Sequence, residues 1–442
     1  MKDKMNRDVY CCIDMKTFYA SVECAERHLN PFETDLVVAD VSRGAHALCL
    51  AVTPHMKQQG VKNRCRLSDI PKHIRYRIAP PRMQLYINYA ARIYDMYLDF
   101  FSRDDIYIYS IDEVFIDLTG YMRMYRTTPE DLVNRIIQEI GWRFSIPAAA
   151  GIGSNLYLAK VALDILAKHE PTHMARLDEE SYRKRLGKHR PITDFWQIAD
   201  GTARRLSQIG VFDMDGILQM PTDLVFRIFG RDGELLMDHA AGRESCRIED
   251  ILSYKPIDKS VSFSQILPRN YNAREARIIV AEMAVHGAEE LMRRRVVAQK
   301  IGLYVGYSFG EKLPAKGSVR MNTATQLASP IEEAALSLYD AMEIDGEDIR
   351  RIGITFEKIC SDGCTGYDVF MDFEAVEKER RLQSAVLNLH TRFGKNSVLR
   401  GLNYLPGAMQ RERNGLIGGH RAGLPPAPGV SRDSKTEICN RD

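Results

Sequence analysis

The sequence predicts a multidomain α/β protein whose first domain is built on a ferredoxin-like sheet. Three observations carry that expectation. Between residues 9 and 168, apolar runs and helical spacings alternate as strand, helix, strand, strand, helix, strand. From about 180 to 250 the pattern is wholly helical, and between about 257 and 360 two to four strands interleave with helices again. With 442 residues, the chain is long enough for two to four separate cores.

Residues 9–14 (VYCCID) read as a short buried strand ending in a carboxylate, Asp14. Phe18, Val22 and Ala25 recur three and four apart, which predicts a helix over 17–28 stopped by Asn30-Pro31. LVVADV (36–41) is a second strand, followed by a short helix that Gly60 ends and by several cationic side chains. Residues 36–75 would then be an excursion from the sheet. The alternating run IYIYSIDEVFIDLTG (106–120) is too long for one ordinary strand, so two strands meeting at a tight acidic turn, Asp112-Glu113, are expected. Pro129 suits the first turn of a helix over 129–143. A small-residue strand (IPAAAGIG) and a helix over 154–168 complete the alternation. In the helical region, Gly201, Gly210, Gly216, Gly230 and Gly242 punctuate short helices. Farther on, AREARIIVAEMAVHGAEELMRRR is a long amphipathic helix and KIGLYVGYS a strand. A charged helix from about 373 precedes a Pro/Gly/Arg-rich tail whose end is expected to be disordered.

Composition narrows the class. No apolar run is long enough to span a bilayer, and the N-terminus has no stretch suited to secretion. Nine cysteines, an odd number without a repeating framework, fit a reducing cytoplasm. Cys360 and Cys364, in CSDGC, are expected to be loop thiols. The net charge of +2 says little about partners.

The chemistry points elsewhere, to the acids. Adjacent carboxylates in a turn are ordinarily solvated, but Asp112 and Glu113 interrupt strongly apolar strand, and Asp14 ends another. Three carboxylates at one sheet edge repel each other unless cations intervene, and Mg²⁺ is the hard cation for such oxygens. Two such ions stabilise both the attacking and leaving oxygens of a phosphoryl displacement.

IDMKTFYASVE (13–23) and YSIDEVFIDLT (109–119) resemble the two acidic motifs of Y-family DNA polymerases. FGKNSVLRGLN, RERNGLIGGHRAG and VKNRCRLSDIP are similar to the UmuC-type branch of Gram-positive bacteria, and the likeness runs over roughly residues 8–423. The resemblance implies a right-hand polymerase: palm over 1–35 and 76–178, small fingers over 36–75, and a helical helix-hairpin-helix thumb over 179–250. It also implies an α/β little finger over 257–365 and, over 366–442, a clamp-motif region, charged helix and tail.

Carried over by position, Asp14, Asp112 and Glu113 match the metal-binding carboxylates, and Met15 the residue whose backbone carbonyl also binds metal. Tyr19 matches the aromatic steric gate that excludes a 2′-hydroxyl, and Phe18 its neighbour in that floor. Lys160 matches a lysine on the nucleotide phosphates. The fingers tyrosine and arginine of the family fall at Pro54 and Lys57, so only Lys57 remains a phosphate ligand there. In the thumb hairpin, Gln197 and Ala199 replace the usual glycines. Arg293, Arg294 and Arg295 either meet DNA phosphates or offset a helix dipole. Tyr367, Val369 and Phe370 lie where relatives carry a sliding-clamp motif, with Gly366 in place of its glutamine.

The implied function is low-fidelity, template-directed DNA synthesis across lesions, within DNA repair and the SOS response of a bacterial cytoplasm. Its cofactor would be two Mg²⁺ ions, and its partners primer–template DNA, deoxynucleoside triphosphates and the sliding clamp, with no membrane. Two rivals stay open at this point: a nucleotidyl cyclase and a non-catalytic DNA-binding relative.

Overall fold

A computed structural model describes residues 8–423 except 45, 256–258, 309–311, 345, 347 and 365–371. The clamp-motif residues Tyr367, Val369 and Phe370 and the tail beyond 423 thus lie outside the described residues. The chain divides into two compact units, residues 1–254 with 420–442, and residues 255–419.

The first unit is organised by a five-stranded sheet. Its strands are β1 (Tyr10–Met15), β5 (Ile106–Ile108), β6 (Glu113–Asp117), β7 (Ala148–Gly153) and β8 (Met174–Leu177), in the order β5-β6-β1-β7-β8. Without β8 this is the expected ferredoxin-like arrangement. The central strand β1 runs antiparallel to both neighbours, with Asp14 opposite Glu113 on one side and Ala149 on the other. The small residues of β7 have a steric cause. A Cβ at Gly151 would lie 2.1 Å from the Ala159 carbonyl oxygen, so only glycine admits helix α6 (Leu156–Val161) this close.

Helix α1 (Phe18–Ala25) follows β1, and α3 (Met83–Leu98) packs beside it. Fully buried Glu23 ties the two helices. Arg82 Nε and Nη2 donate to its oxygens at 2.9 and 2.7 Å, and the Tyr86 hydroxyl donates at 2.7 Å. A buried carboxylate satisfied this way is costly to orphan, by about 3–5 kcal/mol. Between these helices the excursion forms its own small sheet: β2 (Leu36–Ala39), antiparallel to β3 (Cys49–Val52) and parallel to β4 (Arg77–Ala79). Helix α2 (Pro54–Gln58) completes it, with Pro54 buried at its first position. Strand β4 lies just beyond the expected boundary at residue 75 because its backbone pairs with β2, a link that local spacing does not announce.

After β6 come α4 (Tyr121–Tyr125) and α5 (Pro129–Phe144), the latter started by Pro129 as expected and capped by the Thr128 side chain. The region after β8 is helical: α7 (Glu179–Leu186), α8 (Asp200–Ser207), α9 (Met214–Leu218), α10 (Thr222–Phe229), α11 (Asp232–Ala240) and α12 (Ile248–Ser253). Gln197, just before α8, holds φ 69°, the left-handed conformation a glycine would adopt without strain. The replaced glycine thus leaves the backbone shape in place.

The second unit repeats the strand and helix order of the first with different neighbours. It comprises β9 (Ser260–Tyr271), α13 (Ala273–Arg294), β10 (Val296–Tyr307), β11 (Ala315–Thr325), α14 (Ala328–Asp340) and β12 (Ile349–Glu357). The sheet order is β11-β10-β12-β9, and both helices pack on its apolar face. The charged helix α15 (Phe373–Phe393) and the segment after it belong to this unit, which runs to residue 419. Buried Glu282 on α13 explains the docking. It accepts from the Asn403 side chain at 2.9 Å and from the Met409 N–H at 2.9 Å and Gln410 N–H at 3.1 Å.

Candidate active site

The two acidic segments meet through their backbones. The Met15 N–H donates to the Asp112 carbonyl at 3.0 Å, which fixes the end of β1 against the turn before β6. Asp14, Asp112 and Glu113 therefore share one end of the sheet. Directly opposed residues of an antiparallel pair have Cα atoms about 4.5–5.5 Å apart, and Asp14 and Glu113 are such a pair.

Each carboxylate has a distinct partner. Asp112 accepts from the Ser110 hydroxyl at 2.8 Å. Lys168 Nζ stands 2.8 Å from Asp14, and Lys160 bonds Glu113. The Cys12 thiol also reaches Glu113, at 3.3 Å. Between the two lysines lies Asp164, 2.9 Å from Lys160 and 2.7 Å from Lys168. The result is a continuous chain of charge: Glu113, Lys160, Asp164, Lys168, Asp14.

Burial raises the pKa of the Asp112 and Glu113 carboxyls, and the charge of Asp14 adds to both shifts. Burial opposes the charge of Lys160, but Cys12, Asp164 and Glu113 outweigh it and raise the ammonium to about 12. Lys160 is thus a buried, paired lysine and not a solvated one. Among the described residues, no three His, Cys, Asp or Glu side chains stand together as a ready metal-binding group. Lys160 and Lys168 each pair with one of the carboxylates instead.

The aromatic pair stands on α1. Phe18 is buried, and Tyr19, half-buried, stacks on Tyr86 with ring centroids 4.6 Å apart and planes 19° from parallel. The hydrogen bond from Tyr86 to Glu23 holds that support in place. Burial raises the pKa of the Tyr19 hydroxyl, the charge of Asp112 adds to the shift and that of Arg64 opposes it. Lys57, on α2, lies in the electrostatic reach of Asp14 and Lys168.

The sequence reading did not single out Asp164, Lys168, Tyr86 or Lys16. A signal for the first two was present: Lys160, Asp164 and Lys168 are spaced four apart in one helical segment. Four-residue steps drift around an ordinary α-helix, but here Ala162–Ala167 forms a π-helical stretch, whose wider turn keeps them along one stripe. No local pattern marks Tyr86, which is joined to Tyr19 only by the packing of α3 on α1.

The chain is similar to known proteins over most of its length. The impB/mucB/samB family matches residues 13–164, and its C-terminal domain matches residues 258–368. UvrX of Bacillus subtilis, named for UV-damage repair, is 30% identical over 93% of this chain and 97% of its own length. The chain belongs to the Y-family of DNA polymerases. A protein named DNA polymerase IV 2, also of Bacillus subtilis, is 27% identical to this polymerase over 94% of the chain and 99% of its own. Among solved structures, the Y-family DNA polymerase chimera Dbh-Dpo4-Dbh superposes with a TM-score of 0.62 at 20% identity, covering 80% of this chain and 99% of that one. That likeness shows the shared fold: palm, fingers, thumb and little finger. Among the described residues, no helix is long and apolar enough to cross a membrane.

Proposed function

We propose that this Y-family DNA polymerase extends a primer on a DNA template at the sheet end that carries Asp14, Asp112 and Glu113, using two Mg²⁺ ions. The observation that carries the reading is the junction of the two acidic segments, where the Met15 N–H meets the Asp112 carbonyl beside the opposed pair Asp14 and Glu113. The donor set fits a hard divalent cation, being carboxylate oxygens and the Met15 carbonyl with no competing thiolate or imidazole in the set. When bound, the ions would activate the primer 3′-hydroxyl and offset charge on the departing pyrophosphate.

The rest falls to the protein. The carboxylates already share one end of rigid strands, so rotating the side chains of Asp14 and Glu113 away from their lysines gathers them without moving backbone. Lys160, released from Glu113, is then free to reach the nucleotide phosphates together with Lys57. Tyr19, braced by Tyr86, would lie under the sugar and exclude a 2′-hydroxyl by contact, with Phe18 behind it. Positioning and electrostatics supply most of the acceleration in such a transfer.

We assign residues 1–35 and 76–178 to the palm, 36–75 to the fingers, 179–250 to the thumb and 257–365 to the little finger. Fingers this small would make few contacts around a nascent base pair, which suits low-fidelity synthesis across lesions in DNA repair and the SOS response. The amides before α8 would face a DNA phosphate, a contact that reads no sequence. A sliding-clamp contact through Tyr367, Val369 and Phe370 and a cytoplasmic location belong to the same reading.

Primer extension tests it. Asp112→Ala with Glu113→Ala is expected to lower extension by about 10³-fold or more and to leave primer–template affinity near the wild-type value. Extension at the wild-type rate by that variant would reject the metal assignment.

A further inference from the structure

Trp196 stands where two apolar cores meet. Half-buried, it packs against the core of the helical region after β8 and against the core that holds Cys12 of β1, Phe115 of β6 and Ala149 of β7. Its indole N–H donates to the Tyr109 hydroxyl at 3.1 Å, and its ring centroid lies 5.9 Å from those of Tyr109 and Phe115. It also stacks on buried His239 of α11, with the planes 16° from parallel. Tyr109 opens the acidic turn. Its own N–H and that of Ser110 both donate to the Glu113 carbonyl, at 3.0 and 3.1 Å. Lys160, the partner of Glu113, has its ammonium 5.8 Å from the centroid of the Tyr109 ring, within cation–π reach. On the other side in sequence, the chain enters the left-handed conformation at Gln197, just before the amides of α8.

We propose that Trp196 is a positioning residue that couples these two ends, so that primer–template held at the amides before α8 and divalent cations held at Asp112 and Glu113 raise each other's affinity. The proposal rests on the carboxylate reading above. Its indole acts through Tyr109 and not on the reacting atoms. A shift of the backbone at Gln197 carries the indole with it, and a shift of the acidic turn carries the Tyr109 hydroxyl, so either one strains the same hydrogen bond. Tyr109 is exposed, and this bond and its ring contacts are what restrain it. Binding at either end fixes one partner of the bond and spares the other end part of its ordering cost. Such coupling is reciprocal, and one hydrogen bond between neutral groups sets its scale at about five-fold.

The first test needs no turnover. Affinity of the full-length protein for fluorescent primer–template is measured by anisotropy with and without Mg²⁺, at constant ionic strength and without deoxynucleotide. Mg²⁺ is expected to tighten wild-type binding about five-fold, and to tighten binding by Trp196→Phe or Tyr109→Phe less than about two-fold. The double variant should lose no more than either single one, since both remove the same bond. Affinity without Mg²⁺ and thermal unfolding should stay near the wild-type values, whereas a merely structural role would lower affinity alike in both conditions. Equal enhancement by Mg²⁺ in wild type and Trp196→Phe, or none in the wild type, would overturn the proposal.

A second measurement separates the coupling from the carboxylate reading. Trp142, 81% exposed on α5, is the other tryptophan of the chain, so Trp142→Phe leaves Trp196 as an intrinsic reporter. Its emission should respond saturably to Mg²⁺, with a midpoint lowered about five-fold by primer–template. Asp112→Ala with Glu113→Ala in that background should abolish the response. A response that persists there rejects the carboxylates as the cation site, and the proposal with them. A response lost there but indifferent to DNA, or absent from the parent, rejects the coupling alone.

Discussion

Two sheets of this polymerase are made from one order of elements, β-α-β-β-α-β, and they put it to opposite use. In the palm the charge sits at the strand ends. Asp14 and Glu113 close a buried pair of strands, and lysines are drawn in from a helix to neutralise them. In the little finger it sits on the sheet face. The side away from α13 and α14 is an open, polar groove carrying Lys300, Lys316 and Arg351, with Gly302 and Gly353 between them. The first arrangement concentrates charge where solvent is scarce and each group needs a named partner. The second spreads charge over a solvated surface where partners are optional. A concentrated, buried site suits bond chemistry, and a dispersed one suits a long polyanion such as a DNA backbone.

Both sheets need glycine where a helix comes close, and this gives the largest expected effect. A Cβ at Gly151 would meet the backbone of α6, 2.1 Å from the Ala159 oxygen, whereas one at Gly287 would meet the Phe356 ring, also at 2.1 Å. Backbone cannot yield and a ring can turn. Gly151→Ala should therefore cost about 3 kcal/mol or more of stability and Gly287→Ala about 1–2 kcal/mol, read as thermal unfolding of each variant. The reverse ranking would mean that the palm helix is free to shift, and the site with it.

The steric reading of Tyr19 is tested next. Tyr19→Ala removes the ring stacked on Tyr86 and should raise ribonucleotide incorporation relative to deoxyribonucleotide on the order of 10²-fold. Discrimination at the wild-type level would show that something other than Tyr19 guards the sugar.

Much of this contrast was legible in the sequence. The strand ends that carry Asp14 and Asp112-Glu113 follow from apolar runs cut off by acids, and β1, β6, β7 and the long helix α13 lie close to where spacing placed them. What was not legible depends on tertiary pairing. The lysines that neutralise the acids come from one helical segment, Lys160 lying 47 residues from Glu113 and Lys168 far from Asp14 in sequence, and the small sheet of β2 and β3 closes through β4, beyond residue 75. Lys160 illustrates the limit. Helical spacing alone gives a lysine on a helix, and only the approach of α6 to β7 across Gly151 and Gly153 buries it against Glu113. The docking of residues 403–410 on Glu282 was equally hidden, since a lone glutamate in an amphipathic helix has no local mark of burial.

The open face of the little finger predicts a smaller, salt-dependent effect. Lys300→Ala with Arg351→Ala should weaken primer–template binding about ten-fold at moderate salt and lower the slope of log affinity against log salt by roughly two. Fluorescence anisotropy across a salt series reads both. Lys300 already has Glu357 at 2.8 Å, so part of its charge is offset before DNA arrives, and Arg351 should carry the larger share. An unchanged slope would move the DNA contact off this face.

The smallest effect is expected at the end of α13, where three consecutive arginines invite a phosphate-binding reading. Arg294 donates to Glu290 at 2.8 Å, and Arg293 bonds the same carboxylate. Arg295 itself turns into the left-handed conformation that ends the helix. These side chains are occupied at a helix C-terminus, where positive charge offsets the macrodipole by some 0.3–1 kcal/mol. Arg293→Ala should therefore leave DNA affinity and its salt slope unchanged and lower stability by less than about 1 kcal/mol. A slope reduced by about one would instead make Arg293 a phosphate contact, and would show that an exposed ion pair within one helix yields readily to a DNA backbone. The same substitution thus measures how far local pairing, as opposed to position on the sheet, decides which cations of the little finger are free to bind.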